Sequence, residues 1–432
     1  MFCKAIWIIC GVSLADHLLF GRKLGNLSST LQYDLSPSFE LTEHLLNLLA
    51  IAAVSVIFYF AYIKFNKIAK TVLVVGILSV MAIGAYNSAD VWRTYLWYQS
   101  SSSPSSEMPE IPLSKNGKNV IVLMLDRAMG TETPYIFNEK PELLEQFDGF
   151  TYYPNTVSYG PYTNFGAPVL YGGYDYTPEN MNARDSESLE SKHNEALKVM
   201  PVIFGGNGYN VTVCDPTYAG YKSIPDLSIY DDCNIPSLHC YNTMGRFNYF
   251  ESNGNSEASA ELSARVNAIR NRNLFFFSLM RISPVILQET VYDGGMYNES
   301  NTNGSTEDMN VSVVQHMDGL SKSTGYRKFF LESYAVLTNL PAITKISDGN
   351  ENNFLMMSND TTHSPCLLQE PDYVPAMNVD NTAYDVDMVS RYTVDGITMQ
   401  MTTEDQIIHY QANMAAYIEL GKWFDYLRKN GV

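Results

Sequence analysis

Three side chains stand where this sequence can hold a reacting atom: Asp126, Thr163 and His363. Asp126 closes the apolar run NVIVLML, Asn119 to Leu125. A carboxylate at the end of a buried strand is costly unless it is paired, hydrogen-bonded or bound to a cation. An ion pair with the adjacent Arg127, or a helix N-cap, is the plainer alternative. Thr163 lies in SYGPYTNFGAPVLYGG, Ser158 to Gly173, between turn residues and an apolar run. At a helix start its oxygen, activated by a metal and aided by the helix dipole, is a nucleophile; the commoner role there is an N-cap. His363 follows FLMM within SNDTTHSP. An imidazole so placed can donate to a phosphate or sulfate oxygen, or protonate a leaving group near neutral pH. Surface-loop histidines are more common, however. Asp360 in the same stretch is a further oxygen donor. His193, His239, His316 and His409 show neither HxH nor HExxH spacing, so zinc-protease chemistry is not supported.

The elements that must position these groups follow from the apolar patterning. NVIVLML reads as a strand buried on both faces of a parallel sheet, and ligands of such sheets bind at the carboxyl ends of the strands. Ser191 to Phe204 reads as a helix with a break at Pro201, Gly205 to Gly208 as a turn, and Tyr209 to Val213 as the next strand, followed by Cys214 and Asp215. Phe354 to Met357 is another strand. Thr403 to Lys429 is a long helix with Ile407, Tyr410, Met414, Tyr417, Gly421 and Phe424 on one face. This alternation predicts an α/β fold, a mostly parallel sheet with helices on both faces.

At 432 residues, two regions of different character are expected. Residues 1–99 form the apolar one. Leu45 to Phe65 is long enough to cross a bilayer core of about 30 Å, and Thr71 to Ala89 forms a second span. Ala5 to Phe20 is a third apolar segment, interrupted by Asp16 and His17. Lys64, Lys67 and Lys70 mark the intervening loop as cytoplasmic, which places the chain after Tyr86 outside, although Arg22 and Lys23 then fall outside too. Residues 100–114 read as a Ser/Pro-rich tether, and residues 115–432 as the soluble domain. A net charge of −18 argues against nucleic acid as a partner, and an anionic substrate would then need a metal. Six scattered cysteines make no disulfide scaffold; Cys233 and Cys240 can bridge if the domain is extracytoplasmic, and free thiols are the simpler expectation. Asp293 to Ser312 reads as a polar surface insertion, with Asn-x-Ser/Thr triplets at Asn298, Asn303 and Asn310.

In order and spacing, NVIVLMLD, PNTVSYGPYTNFGAPVLYGGYDYTP, GGNGYNVTV, FLMMSNDTTHSP and HYQANMAAYIELGKWFDYLRKNGV resemble the alkaline phosphatase superfamily. The likeness is to its sulfatase-like branch, with the lipoteichoic acid synthases and the phosphoglycerol and phosphoethanolamine transferases, and it spans Lys118 to Val432. It implies a divalent metal (Mn2+, Mg2+ or Zn2+) on Asp126, Thr163 as nucleophile and second metal ligand, and His363 on the transferred group. It further implies a membrane-anchored hydrolase or transferase of phosphate or sulfate esters, which moves a phospholipid head group through a phospho-threonine at the outer surface of the cell membrane. CDPTY at Cys214 lacks the Arg of the sulfatase C/S-x-P-x-R pattern, which favours phosphate over sulfate. The family's closing Asp-His metal pair would follow the last helix, so the chain is expected to be C-terminally truncated. The competing expectation is a catalytically silent, membrane-anchored binding module.

Overall fold

The structure, a computed structural model, describes residues 2–22, 24, 31, 33, 37–102, 108–252, 256–295, 297, 322–324, 327–363, 366–376 and 378–432. Asn298, Asn303, Asn310 and His316 lie outside the described residues. The longer elements, in chain order, begin with helices α1 (Phe2–Leu19), α2 (Leu41–Lys64) and α3 (Asn66–Ser102) and strands β1 (Ile111–Ser114) and β2 (Asn119–Leu125). Helices α4 (Thr163–Gly172) and α5 (Leu189–Gly206) lead to strands β3 (Asn210–Cys214) and β4 (Leu238–Tyr241). Then come helices α6 (Ser256–Ile282), α7 (Val285–Tyr292) and α8 (Lys328–Ile343), strands β5 (Thr344–Ser347) and β6 (Asn353–Asn359), and helix α9 (Glu404–Lys429).

Two compact units share the chain: Met1–Ser103 with Ala260–Thr306, and Pro104–Ser259 with Glu307–Val432. In the first, α1, α2 and the Asn66–Thr94 part of α3 are each long and apolar enough to cross a membrane. Helices α1 and α2 meet at Gly11, where a Cβ would run into the Phe58 ring, so glycine suits this approach. Trp7 packs on Phe58 and donates its Nε1 hydrogen to the Phe58 carbonyl at 3.1 Å. The Asn47 amide donates to Asp16 Oδ1 at 2.5 Å, which pairs one oxygen of a polar interruption in α1. Helix α3 runs on to Ser102, into the stretch that reads as a tether, because no glycine or proline stops it after Gly84 until Pro104. The last residues of that stretch form β1, whose Ile111 and Leu113 are buried.

The second unit is α/β. Its main sheet is parallel, in the order β2-β6-β3-β4, and a separate parallel pair joins β1 to β5. Side-chain alternation sends β6 residues to two cores. Phe354 and Met356 pack with Ala167 and Tyr171 of α4 and Leu197 of α5, whereas Leu355 and Met357 pack with Val336 and Leu340 of α8 and Ala416 and Trp423 of α9. Helices therefore cover both faces. Strand β2 feeds both cores but stays half-buried along its length, because it stands at the sheet edge with β6 as its one neighbour. Helix α5 continues through Pro201, held by Leu197, Met200 and Phe204 on the sheet, and ends near Gly208, whose positive φ turns the chain into β3. Helix α9 opens with a reciprocal cap between Thr403 and Gln406. It is buried all round from Tyr410 to Ala416 rather than on one face, since it runs through the interior of this unit. Cys233 and Cys240 are free thiols in the α5-side core.

A buried ionic cluster fixes the N-terminal half of α9. The Arg391 guanidinium reaches Asp385 at 2.5 Å, Glu370 at 3.3 Å and Glu139 at 3.7 Å. Tyr384 and Tyr410 hydroxyls donate to Glu139 at 2.8 and 2.6 Å, and the Gln411 amide donates to Glu370 at 2.8 Å. One cation thus offsets three carboxylates. Arg391→Ala would leave them uncompensated, and such a loss costs about 3–5 kcal/mol. A large drop in the urea unfolding midpoint of the full chain is expected; an unchanged midpoint would rule out the cluster as a determinant of stability.

Candidate functional site

The parallel register of β2 and β6 assembles the site. Leu125 pairs with Asn359, and the ladder extends one residue further through Asp126 N–H to the Asn359 carbonyl at 3.0 Å. Asp126 and Asp360 therefore leave the carboxyl ends of adjacent strands side by side. Burial, then the charge of Asp126, pushes the Asp360 carboxyl up to about 6, while His363 pulls the other way.

Thr163 comes from the far side of the sheet's end. Tyr162, in extended conformation, is the N-cap of α4, and Thr163 is its first helical residue. The Thr163 side chain does not cap the helix; its hydroxyl stands 3.1 Å from both carboxylate oxygens of Asp126. His363 Nε2 lies 3.9 Å from Asp126 Oδ2. The loop bearing Asp360 and His363 is fixed from below. Asn359 accepts from Thr361 N–H and donates to the Ser333 carbonyl, Thr362 donates to the Asp126 carbonyl at 2.5 Å, and His363 N–H donates to the Asp360 carbonyl at 3.0 Å. The four oxygen and nitrogen donors singled out in the sequence thus converge. Cys214 and Asp215 do not join them: Cys214 is enclosed in the core, and Asp215 accepts from the Thr243 and Met244 amides and the Thr243 hydroxyl. The Asp215 carboxylate serves a turn.

Several neighbours carry no local sequence signal. Arg127, in left-handed conformation, donates to the His363 carbonyl at 3.4 Å rather than pairing with Asp126. His409 of α9 is pushed down to about 4 by burial, then by the positive charges of Arg127, His363 and Arg327, with Asp405 opposing them. Arg127, Arg327 and His363, from three segments, thereby act on one imidazole. Tyr218, also left-handed, has its hydroxyl pKa raised by burial and by the charges of Asp126 and Asp360. Asn164 donates to the Tyr221 hydroxyl at 3.4 Å. Only the fold brings these residues to one place, which is why their spacing conceals them.

Asp126, Asp360 and the Thr163 hydroxyl are hard oxygen donors suited to a divalent cation. Two adjacent carboxylates, one of them pushed up by burial and then by the charge of the other, are the pattern such an ion relieves. Among the described residues no group of three or more His, Cys, Asp or Glu side chains is arranged to hold a metal. Comparison of the chain with protein-family models, with curated proteins and with solved structures gives no match.

Asn413 ties the Asp126 loop to α9. Its Oδ1 accepts from Met129 N–H at 3.3 Å, and its amide donates to Glu132 at 2.7 Å and to the His409 carbonyl at 3.1 Å. Burial pushes the Glu132 carboxyl from 4.5 up to about 7, with the Asn413 hydrogen bond opposing the shift. A raised carboxyl holds its proton more tightly in the folded chain, so its contribution to stability is full below 4.5 and lost as pH rises through about 7. Glu132→Gln should flatten the fall in melting temperature across that window. A wild-type slope retained in the variant would place the titrating group elsewhere.

Proposed function

We propose that this chain is a membrane-anchored, metal-dependent enzyme of the sulfatase-like type that transfers a phosphoryl-containing group through Thr163. The observation that carries the proposal is the Thr163 hydroxyl 3.1 Å from both oxygens of Asp126, at a helix start and at the carboxyl end of a parallel strand. The default role for a threonine there, capping the helix, is the one it does not perform. A divalent cation (Mn2+, Mg2+ or Zn2+) on Asp126, Thr163 and Asp360 would supply Lewis-acid polarisation and a lowered hydroxyl pKa.

The chain's own residues account for the remaining chemistry. Thr163 Oγ forms the bond to phosphorus as the ester bond to the leaving alcohol breaks, and its proton passes to the Asp126 carboxylate it already faces. The His363 imidazole, 3.9 Å from Asp126 Oδ2, delivers a proton to the leaving oxygen. An acceptor alcohol or water then displaces Thr163 from the phospho-threonine. The first-turn amides of α4 favour negative charge on the transferred group. Three apolar helices and the lysines flanking the α2–α3 junction support an anchor in the cell membrane with the second unit outside, where a phospholipid head group is the donor.

Thr163→Ala should lower turnover of a phosphodiester or phospholipid substrate by roughly a thousandfold or more, while Thr163→Ser keeps part of it. Radiolabel from the donor should remain on the protein at Thr163 when acceptor is withheld. Full activity in Thr163→Ala would sink the assignment. The small acidic donor set also favours a second reading, a binding module without turnover. Calorimetric titration with Mn2+ separates the two: Asp126→Asn should weaken binding about tenfold or more if the site holds the ion, and no saturable binding in the wild type favours the module.

A further inference from the structure

Residues 260–292 join the apolar N-terminal helices in one compact unit, although nothing in their composition announces a membrane segment. The segment is two helices, α6 and α7, separated by Ser283 and Pro284 and interrupted by Arg281. Neither has the length and apolar content to span a bilayer core of about 30 Å. One side of the pair faces inward, with Asn273, Met280, Ser283, Val285, Gln288 and Tyr292 buried. The side left open is the apolar one: Phe275, Leu279, Ile282 and Ile286 are 65, 39, 50 and 51% exposed. Phe275, Leu279 and Ile282, spaced by four and three residues, fall on one stripe of α6, and Ile286 is exposed in the first turn of α7. In water such a face would be polar.

The hairpin is also located along the spans. Val285 N–H donates to Asn47 Oδ1 at 3.2 Å, inside the first turns of α2, and Phe39 N–H, just ahead of α2, donates to Glu289 at 2.7 Å. Tyr33 N–H donates to the Tyr292 hydroxyl at 2.7 Å. Met280, Arg281 and Gln288 share a small cavity with His17, Gly21 and Arg22 at the end of α1. All these contacts fall where α1 ends and α2 begins. Arg22 and Arg281 stand at that same level, where basic side chains meet lipid phosphates.

We propose that the α6–α7 hairpin lies in the headgroup–acyl boundary of the bilayer, with the Phe275, Leu279, Ile282 and Ile286 stripe turned to lipid. The occupant of this face is the membrane itself, because the stripe continues the exposed apolar surface of α1 and α2 within the same unit. The proposal rests on the reading of those helices as membrane spans, and the test separates the two.

Nitroxide labels are placed singly at Phe275→Cys, Ile282→Cys and Ile286→Cys in the full chain in nanodiscs, with Cys3, Cys10, Cys233 and Cys240 replaced by Ser. Labels at Leu49→Cys and Glu145→Cys serve as deep and aqueous references. Collision with oxygen against a water-soluble nickel chelate should put the three hairpin labels about 5–10 Å below the phosphates, shallower than position 49 and distinct from position 145. Hairpin labels as open to nickel as position 145, with position 49 protected, overturn the proposal and leave the spans intact. Position 49 open to nickel defeats the spanning reading and the proposal with it. Spin–spin broadening at 275 or 286 without excess oxygen collision assigns the face to a second copy and also overturns it. In the unmodified chain, an apolar carbene precursor dissolved in the bilayer should mark the 274–287 peptide together with peptides of α1 and α2; an unmarked 274–287 peptide rejects the proposal without any substitution.

Discussion

Two carboxylates held in register at the ends of neighbouring parallel strands are the constraint around which the second unit is organised. The β2–β6 ladder fixes Asp126 beside Asp360, and neither can turn away without breaking the Asp126 amide bond to Asn359 or the turn from Asp360 to His363. Like charges at such a place are tolerated only when a proton or a cation intervenes. The structure meets the demand partly with hydrogen, through the Thr163 hydroxyl on Asp126 and the upward shift of Asp360. A divalent ion would meet the same demand and turn the threonine oxygen from a donor into a nucleophile.

The rest of the unit supplies stiffness to that arrangement. Phe204 stacks on Phe354 at 4.0 Å beneath the sheet, and Trp423 donates to Thr344 at 3.0 Å on the opposite side. Helix α9 then acts through Asn413, which holds the loop after Asp126 from one end, and through Tyr410 and Gln411, which reach the Arg391 cluster. A helix buried all round can serve two polar networks because Tyr410, Gln411 and Asn413 each find a partner. Single removals from such a network therefore cost more than the bond removed.

Much of this was legible in the residues, for a physical reason. NVIVLML has the bounds of β2, FLMM lies inside β6, and Thr403 begins α9 as its cap, because continuous aliphatic runs and capping chemistry act locally. Asp126, Thr163, Asp360 and His363 were visible because ends of strands and starts of helices are where polar groups must be accounted for. The partners Tyr218 and His409 were not, since proximity between chain segments leaves no spacing to read, and Arg127, expected to pair with Asp126, turns instead to the His363 carbonyl. The edge position of β2 was hidden as well: its sequence suits a strand buried on both faces, whereas β2 packs against both cores and stays half-buried at the edge of the sheet. The α6–α7 hairpin escaped notice because a stripe of four apolar residues in two helices falls far below the signal of a span.

Charge poses the remaining problem, because a chain of net charge −18 repels the anions it is proposed to handle. Screening confines that repulsion to a Debye length of about 8–10 Å, so the local field decides whether a phosphate ester can settle. There positive groups stand among the carboxylates: Arg127 and Arg327 act on the same imidazole of His409, and His363 Nε2 lies 3.9 Å from Asp126 Oδ2. His409, pushed down to about 4, stays neutral at ordinary pH and adds no charge of its own. Under the proposed function, attraction at this site would be short-ranged and directional, set by the two guanidinium groups and a bound metal rather than by the surface as a whole. A site of that kind would not gather soluble anions from a distance, and the phospholipid donor of the proposed function answers that constraint.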